Sequence, residues 1–155
     1  MIIALAGCGT SDSKSKPPPA PTGTAPAAAG PVTCDGYTKG SGGVINVFCG
    51  GSAKADGTIG QTPFELDGGS CVHNITFMSV NVGVLVGPDF AGDLPDYFGI
   101  VLKPEPGPFD NASATIDAVG DPHALTLSGT LDKDMQGGKF AGVDGSTKVS
   151  GSFSC

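Results

Sequence analysis

A strict alternation of apolar and small polar residues is the feature that most limits what this chain can fold into. Over residues 125–131, Leu or Gly occupies every second position, and Thr or Ser stands between them. Residues 149–155 repeat the pattern, with Val, Gly, Phe and Cys in one phase and Ser in the other. A period of two places successive side chains on opposite faces of a β-strand, so both segments predict half-buried strands.

Three further segments also favour strands. The apolar runs at residues 44–49 and 98–102 are short and lie next to glycine or proline, which is typical of buried strands. Residues 112–116 alternate between apolar and polar types, which again predicts a strand with one buried face.

The longest β signal covers residues 72–86. Its apolar phase changes near residues 78–79, which indicates a bulge or a turn between two strands, and residues 81–83 are a second position for that turn. One or two helical turns would fit at residues 90–94 or 54–60.

Turns rich in Gly, Asp and Pro separate these segments, and no segment has the 3.6-residue apolar period of an amphipathic helix. The chain contains 26 Gly and 13 Pro, and only 15% of its residues are charged. We therefore predict an all-β domain, an antiparallel β-sandwich or half-open barrel of about seven or eight short strands with little helix.

The amino-terminal part of the chain has a different composition. Residues 9–32 are rich in Ser, Pro, Ala and Thr and have little apolar surface to bury, which predicts a disordered or polyproline-like tether. Its Thr and Ser residues beside Pro are candidate O-glycan acceptors, and a plain spacer is the alternative. The predicted β domain then comprises residues 33–155, a length typical of one domain.

The segment Leu5-Ala6-Gly7-Cys8 matches the site at which bacterial lipoprotein precursors are acylated and cleaved. Processing at this site attaches a diacylglycerol to the Cys8 thiol through a thioether and removes the residues before it. Cys8 then becomes the amino terminus and carries acyl chains such as palmitate. Residues 1–7 then belong to a signal peptide, but they lack a charged n-region and a long apolar stretch, so we interpret them as a remnant.

Two or three acyl chains hold a protein durably at a bilayer, because each buried CH₂ contributes about 0.8 kcal/mol. No segment of the sequence is as apolar as a membrane-spanning helix of about 18 residues. We therefore expect attachment to the extracytoplasmic side of a bacterial cell membrane through Cys8, with residues 8–32 as lipidated cysteine and tether.

Four cysteines follow Cys8, namely Cys34, Cys49, Cys71 and Cys155. An even number in an exported chain predicts two disulfide bonds, and four cysteines allow three pairings. The sequence contains no C-x-x-C pair and no Cys/His cluster, so we do not expect zinc.

Charge and motifs argue against several functional classes. The net charge is −7 and all eight basic residues are Lys, which disfavours nucleic acid as a partner. Residues 132–137 begin like a calcium loop, but Val143 stands where the bidentate acid is required, so a solvated hairpin turn is preferred. Asp89, Asp93 and Asp96 share one loop, where Asp is common because it stabilises turns.

The two histidines, His73 and His123, stand at the starts of different predicted strands without a linking motif. A catalytic or metal-binding role would require a partner carboxylate or a second ligand that the sequence does not identify. We expect no enzymatic activity, no metal and no cofactor.

Three groups of residues resemble the mycobacterial small surface lipoprotein antigens of the LpqH type. Residues 32–34 (VTC), 44–47 (VINV) and 50–51 (GG) resemble the first cysteine and first strand of that family. Residues 111–117 (NASATID) and 125–130 (LTLSGT) resemble its central hairpin, and residues 151–155 (GSFSC) resemble its closing strand. The acylation motif at Cys8 and the Pro/Ala/Thr-rich tether also resemble the amino-terminal organisation of that family.

This resemblance implies that Cys34 pairs with Cys155, which leaves Cys49 with Cys71. It also implies an envelope-displayed antigen with an acylated amino terminus that host receptors sense, a glycosylated tether and a role in adhesion. No enzymatic activity goes with the family.

We therefore expect a non-enzymatic, lipid-anchored envelope lipoprotein that serves display, adhesion or interaction, with a host receptor or envelope component as partner and a monomeric state. The alternative is a carrier of a small apolar ligand, such as a lipid or glycolipid. That alternative requires a cavity of several hundred Å³ lined by Val82, Val84, Phe98 and Ile100.

Overall fold

A computed structural model describes residues 34–118 and 120–155 of the chain. The predictions for residues 1–7, for lipidation of Cys8 and for the tether at residues 8–32 concern sequence outside the described residues. The predicted β domain is therefore the part of the chain that can be compared with the structure.

The described residues form nine β-strands and no helix. They are β1 (Val44–Phe48), β2 (Ala53–Ile59), β3 (Thr62–His73), β4 (Met78–Val86), β5 (Tyr97–Leu102), β6 (Gly107–Ala118), β7 (Asp121–Leu131), β8 (Gly137–Asp144) and β9 (Thr147–Ser154). The helical turn considered at residues 54–60 is wrong, because that segment is β2, and residues 90–94 contain no helix either.

All strand pairs are antiparallel, and β2 to β9 follow one another around a closed barrel of eight strands. Pairing of β2 with β9 closes the ring, and β1 is an additional strand beside β4. The all-β antiparallel prediction is confirmed. The barrel is closed rather than half-open, and closure satisfies the backbone hydrogen bonds that an open sheet leaves at its edges.

The change of phase in residues 72–86 corresponds to a turn between β3 and β4. The Asn74 side-chain oxygen accepts hydrogen bonds from the backbone N–H groups of Thr76 (2.7 Å) and Phe77 (3.0 Å). Such an Asx-type turn fixes the reversal locally. Ile75 at its tip is fully exposed.

The inward positions of the barrel contain closely packed apolar side chains. Phe98 is fully buried, and its ring centroid lies 5.3 Å from that of Phe140 and 6.5 Å from that of Phe64. An eight-stranded barrel is just wide enough to be filled by side chains or to hold one small ligand, and here these rings and the neighbouring aliphatic residues form a core cluster inside it. The other large side chains that are fully buried are Leu66, Met78, Val80, Val82, Val84, Ile100, Ile116, Leu127, Leu131 and Val149.

Glycine and phenylalanine pair across neighbouring strands in this core. Phe109 is opposite Gly129, and Phe140 is opposite Gly151. A Cβ at Gly129 or Gly151 would lie 2.7 Å from the tip of the ring on its partner strand, so only glycine leaves room for it. The glycines of these strands therefore belong to the packing as well as to the turns.

Both disulfide bonds are formed, but the pairing implied by the resemblance is wrong. Cys34 pairs with Cys49, with Cα atoms 6.2 Å apart, and Cys71 pairs with Cys155, with Cα atoms 5.7 Å apart. The predicted Cys34–Cys155 and Cys49–Cys71 bonds assumed that the first and last strands are neighbours. In the barrel it is β2 that pairs with β9, whereas β1 pairs with β4.

The strand register explains why Cys155 meets Cys71. Strand β2 begins at Ala53, opposite Gly69 on β3, and its next residue is opposite Ser154 on β9. Strand β3 extends past the first residue of β2. Cys155, which follows β9, therefore lies beyond the end of β2 and contacts β3 there. The bond links two non-adjacent strands at this end of the barrel.

Candidate functional site

The acidic segment at residues 132–137 is a hairpin turn between β7 and β8, as the preferred interpretation predicted. The Met135 N–H donates to the Asp132 carbonyl (3.0 Å), and the Gln136 N–H donates to an Asp134 carboxylate oxygen (3.1 Å). Within residues 34–118 and 120–155, no three His, Cys, Asp or Glu side chains gather where they could hold a metal ion. Asp89, Asp93 and Asp96 lie in the β4–β5 connection.

The two histidines lie at opposite ends of the barrel, because β3 ends at His73 and β7 begins two residues before His123. His123 Nδ1 lies 2.7 Å from an Asp144 carboxylate oxygen, and the His123 side chain is largely buried. This contact fixes the orientation of the imidazole and leaves Nε2 as its second polar atom. His73 instead lines a cavity of about 370 Å³ beside the Cys71–Cys155 bond.

A chain of polar side chains lies on the outer wall of the barrel, across β4 and β5. The Asn81 amide donates to the Ser79 hydroxyl (2.7 Å), and the Tyr97 hydroxyl donates to the Asn81 amide oxygen (2.7 Å). The Tyr97 ring lies over Gly99, where a Cβ would come within 2.7 Å of ring atom Cζ. Glycine at this position therefore lets the phenol lie flat along the wall.

Tyr97 is only 4% exposed although it faces outward from the barrel. Burial, together with the negative charge of Asp117, raises the pKa of Tyr97 to about 12. The phenol therefore remains protonated at neutral pH and keeps its role as hydrogen-bond donor to Asn81.

Asp117 is opposite Tyr97 on β6 and is 6% exposed. One of its carboxylate oxygens, Oδ1, is buried and has no hydrogen-bond partner among the described residues. Burial raises the pKa of Asp117, and His123 opposes this shift in part. An unpartnered buried carboxylate destabilises the fold.

A cavity of about 590 Å³ opens where β5 ends before β6 does. The β5–β6 register stops at Val101 and Ser113, while β6 continues beside β7 alone towards its start at Gly107. A bulge between Phe109 and Ala112 interrupts the regular pairing of β6 with β7 beside this cavity. The loop from Lys103 onward and the β3–β4 turn form the other walls.

Asn111 lies within this bulge, and its backbone has a φ of 61°. A left-handed conformation is uncommon for a residue other than glycine, and Asn adopts it more readily than most. Asn111 lines the cavity together with Thr76 and Asp110. Phe77 and Val101, which are 38% and 46% exposed, supply apolar surface in the same cavity.

A second cavity of about 410 Å³ lies over β4 to β7 on the same wall. It is lined by Asn81 and Tyr97 and by the hydroxyl-bearing side chains Ser113, Thr115 and Thr126. Val101 lines both cavities, so they adjoin at this residue. We call the two adjoining cavities the outer groove.

The cavity required by the carrier alternative is not among these sites. The side chains of Val82, Val84, Phe98 and Ile100 are fully buried, and none of them lines the outer groove or the cavity beside His73.

Sequence reasoning did not select the residues of the outer groove. Tyr97 precedes the apolar run at residues 98–102, and its partner Asn81 lies 16 residues earlier in the chain. Asn111 entered only as part of the resemblance. The sole signal available in the sequence was the abundance of Ser, Thr and Asn in the outward phase of these strands.

Comparisons with protein-family models, curated proteins and solved structures find no match for this chain. Across residues 34–118 and 120–155, no helix has the length and apolar character needed to cross a bilayer. The motifs of the sequence and the geometry of the outer wall are therefore the observations that bear on function.

Proposed function

We propose that this chain is a non-enzymatic lipoprotein, held by acylated Cys8 on the extracytoplasmic side of a bacterial membrane. Its barrel serves display, adhesion or interaction with another component of the envelope or of a host. The observation that most supports the proposal is the order of the amino-terminal features: Leu5-Ala6-Gly7-Cys8, then a Pro/Ala/Thr-rich segment, then a domain with two disulfide bonds.

The tether is long enough to separate the domain from a bilayer. Residues 9–32 would span about 70 Å in a polyproline-like conformation of about 3.1 Å per residue. A domain at that distance is accessible to large partners. The two disulfide bonds support an oxidising compartment, because structural disulfides persist outside the cytoplasm.

The shape of the barrel supports an interaction role rather than a carrier role. Its inward positions contain packed apolar side chains such as Phe98 and Ile100, which leaves its outer surface as the part available to a partner. The outer groove, with cavities of about 590 and 410 Å³, is a recess on that surface.

The resemblance to the LpqH-type antigens supports the same role. Its cysteine correspondence is wrong, however, because Cys34 pairs with Cys49. The proposal therefore depends on the motif at Cys8 and on the tether, and membership of that family is a separate proposal based on the short motifs at residues 111–117 and 125–130.

Detergent phase partitioning tests the anchor. The chain is expressed in a bacterium behind a complete signal peptide, and we expect it in the detergent phase. Cys8→Ser should move it to the aqueous phase, because the thioether cannot form. The matched control is Cys34→Ser combined with Cys49→Ser, which removes two other thiols and should remain in the detergent phase. Identical partitioning of the Cys8→Ser variant and the unmodified chain would refute the anchor.

A further inference from the structure

We infer that the outer groove binds a neutral oligosaccharide, with one sugar at the Phe77–Asn111 end and another at the Tyr97–Asn81 end. The inference deepens the proposed function by naming a class of partner for the displayed barrel. It rests on the proposed function only for the display of the barrel outside the cell, because the binding itself depends on the residues of the groove.

The dimensions of the groove suit an extended ligand. Its two cavities measure about 590 and 410 Å³, and each is in the range of about 300–1,000 Å³ that is typical of small-molecule sites. Both are lined by the half-exposed Val101, so a ligand that occupies both cavities would pass over this side chain.

The mixture of side chains matches the chemistry of a sugar. A pyranose has an apolar face of C–H groups and a rim of hydroxyls that both donate and accept hydrogen bonds. In the larger cavity, the exposed face of Phe77 suits the C–H groups, while Asn111, Asp110 and Thr76 offer an amide, a carboxylate and a hydroxyl.

The smaller cavity offers mainly polar groups. Ser113, Thr115 and Thr126 present a row of hydroxyl-bearing side chains on β6 and β7. The chain of hydrogen bonds from Tyr97 through Asn81 to Ser79 fixes the orientation of the Asn81 amide in the wall. Polar groups held in place by hydrogen bonds bind with a smaller loss of side-chain entropy.

The position of Asn111 also indicates a binding role. The bulge places a non-glycine residue in the left-handed region, φ 61°, at the wall of the 590 Å³ cavity. Backbone conformations of this kind cost free energy and are concentrated at ligand sites.

Charge selects the class of sugar. The exposed charged residues that line the larger cavity are Lys103, Glu105 and Asp110, which sum to one negative charge. A net negative lining disfavours phosphates and uronic acids, and the many polar groups disfavour an acyl chain. A neutral hexose oligosaccharide satisfies both conditions.

The test is a titration of the full-length chain carrying Cys8→Ser, labelled with ¹⁵N, followed by NMR. The probes are neutral trisaccharides of glucose, mannose and galactose, and trigalacturonic acid is the anionic comparison. We expect saturable shifts at Phe77, Val101 and Asn111 with at least one neutral trisaccharide, and weaker or no shifts with the anionic one.

Matched variants locate the site. Phe77→Ala should weaken binding about tenfold through loss of the ring face. Ile75→Ala removes a fully exposed side chain from the same turn, outside the cavity lining, and should bind like the parent chain. Asn111→Gly keeps the left-handed backbone while removing the amide, and should weaken binding about fivefold.

The inference is overturned if none of the neutral trisaccharides gives saturable shifts, if the shifts map outside the groove, or if trigalacturonic acid binds as tightly. Equal binding by the Phe77→Ala and Ile75→Ala variants would overturn it as well. Because these measurements use the purified chain without a membrane, they leave the partitioning test of the anchor unaffected.

Discussion

Removal of each disulfide bond should destabilise the barrel by a different amount. The Cys71–Cys155 bond joins residues 84 positions apart, whereas the Cys34–Cys49 bond joins residues 15 positions apart. The loop-closure model gives an entropy loss in the unfolded chain of about 2.1 + 1.5R ln n cal/mol/K, with n the loop length. At 25 °C this corresponds to about 4.5 kcal/mol for the long loop and about 3 kcal/mol for the short one.

The assay is urea unfolding of two paired variants in a Cys8→Ser background, with no reductant present. One variant combines Cys71→Ala with Cys155→Ala, and the other combines Cys34→Ala with Cys49→Ala. We expect the first to lose about 1.5 kcal/mol more unfolding free energy than the second. Cys71 and Cys155 also pack against the core, which acts in the same direction.

A thiol titration of the same two variants separates the pairings. Since each variant removes both partners of one bond, neither should contain a free thiol. The pairing implied by the resemblance, Cys34 with Cys155 and Cys49 with Cys71, would instead leave two free thiols in each. Free thiols, or a larger loss of stability in the Cys34→Ala/Cys49→Ala variant, would refute the reasoning.

Three further predictions concern the core and the outer wall. Phe98→Ala should lower the unfolding free energy by about 3–5 kcal/mol in urea titrations, because it opens a cavity among packed rings. The control Val143→Ala, at an exposed position, should change the unfolding free energy by less than about 0.5 kcal/mol. Similar losses of stability in the two variants would contradict a filled interior. Tyr97→Phe leaves the Asn81 amide oxygen without its donor and should cost about 1–2 kcal/mol in the same assay, so an unchanged stability would exclude the bond. Burial raises the pKa of Asp117 above its ordinary 3.8, so the native state binds more protons than the unfolded state and loses stability as the pH rises. Asp117→Asn should therefore be more stable than the parent chain at pH 7, and the two chains should become equally stable below the ordinary pKa. A stability difference that stays constant from pH 7 to below that pKa would contradict the raised pKa of Asp117.

The strands with regular apolar alternation could be predicted from the sequence. Strands β6, β7 and β9 contain the segments predicted from this alternation, because one face of each packs in the core with residues such as Leu127 and Phe153. The turn between β3 and β4 lies between His73 and Met78, a few residues before the phase change predicted at residues 78–79, and the second position considered, residues 81–83, is wrong because it lies inside β4.

Strands β2 and β8 were missed for a physical reason. Both contain Gly, Asp and Lys, which are typical of turns. In the barrel, the inward Gly57 of β2 and Gly138 of β8 are opposite Phe64 and Phe153, whose rings fill the space that an apolar side chain would occupy. The apolar surface of these strands is thus supplied by their neighbours, which a single-strand pattern does not contain.

The outer groove could not be predicted for a related reason. Its larger cavity depends on where β5 ends relative to β6, and the bulge at Asn111 is a property of the β6–β7 register. Register between strands is set by the packed barrel. The number of disulfide bonds follows from composition, but their pairing depends on the same register.

Mass spectrometry of the amino-terminal peptide, from protein purified out of its native membrane, tests the central claim most directly. The account predicts a peptide that begins at Cys8 and has a mass increased by a diacylglyceryl group, with or without a third acyl chain. A peptide that extends through Gly7 and contains Cys8 with an unmodified thiol would contradict the account.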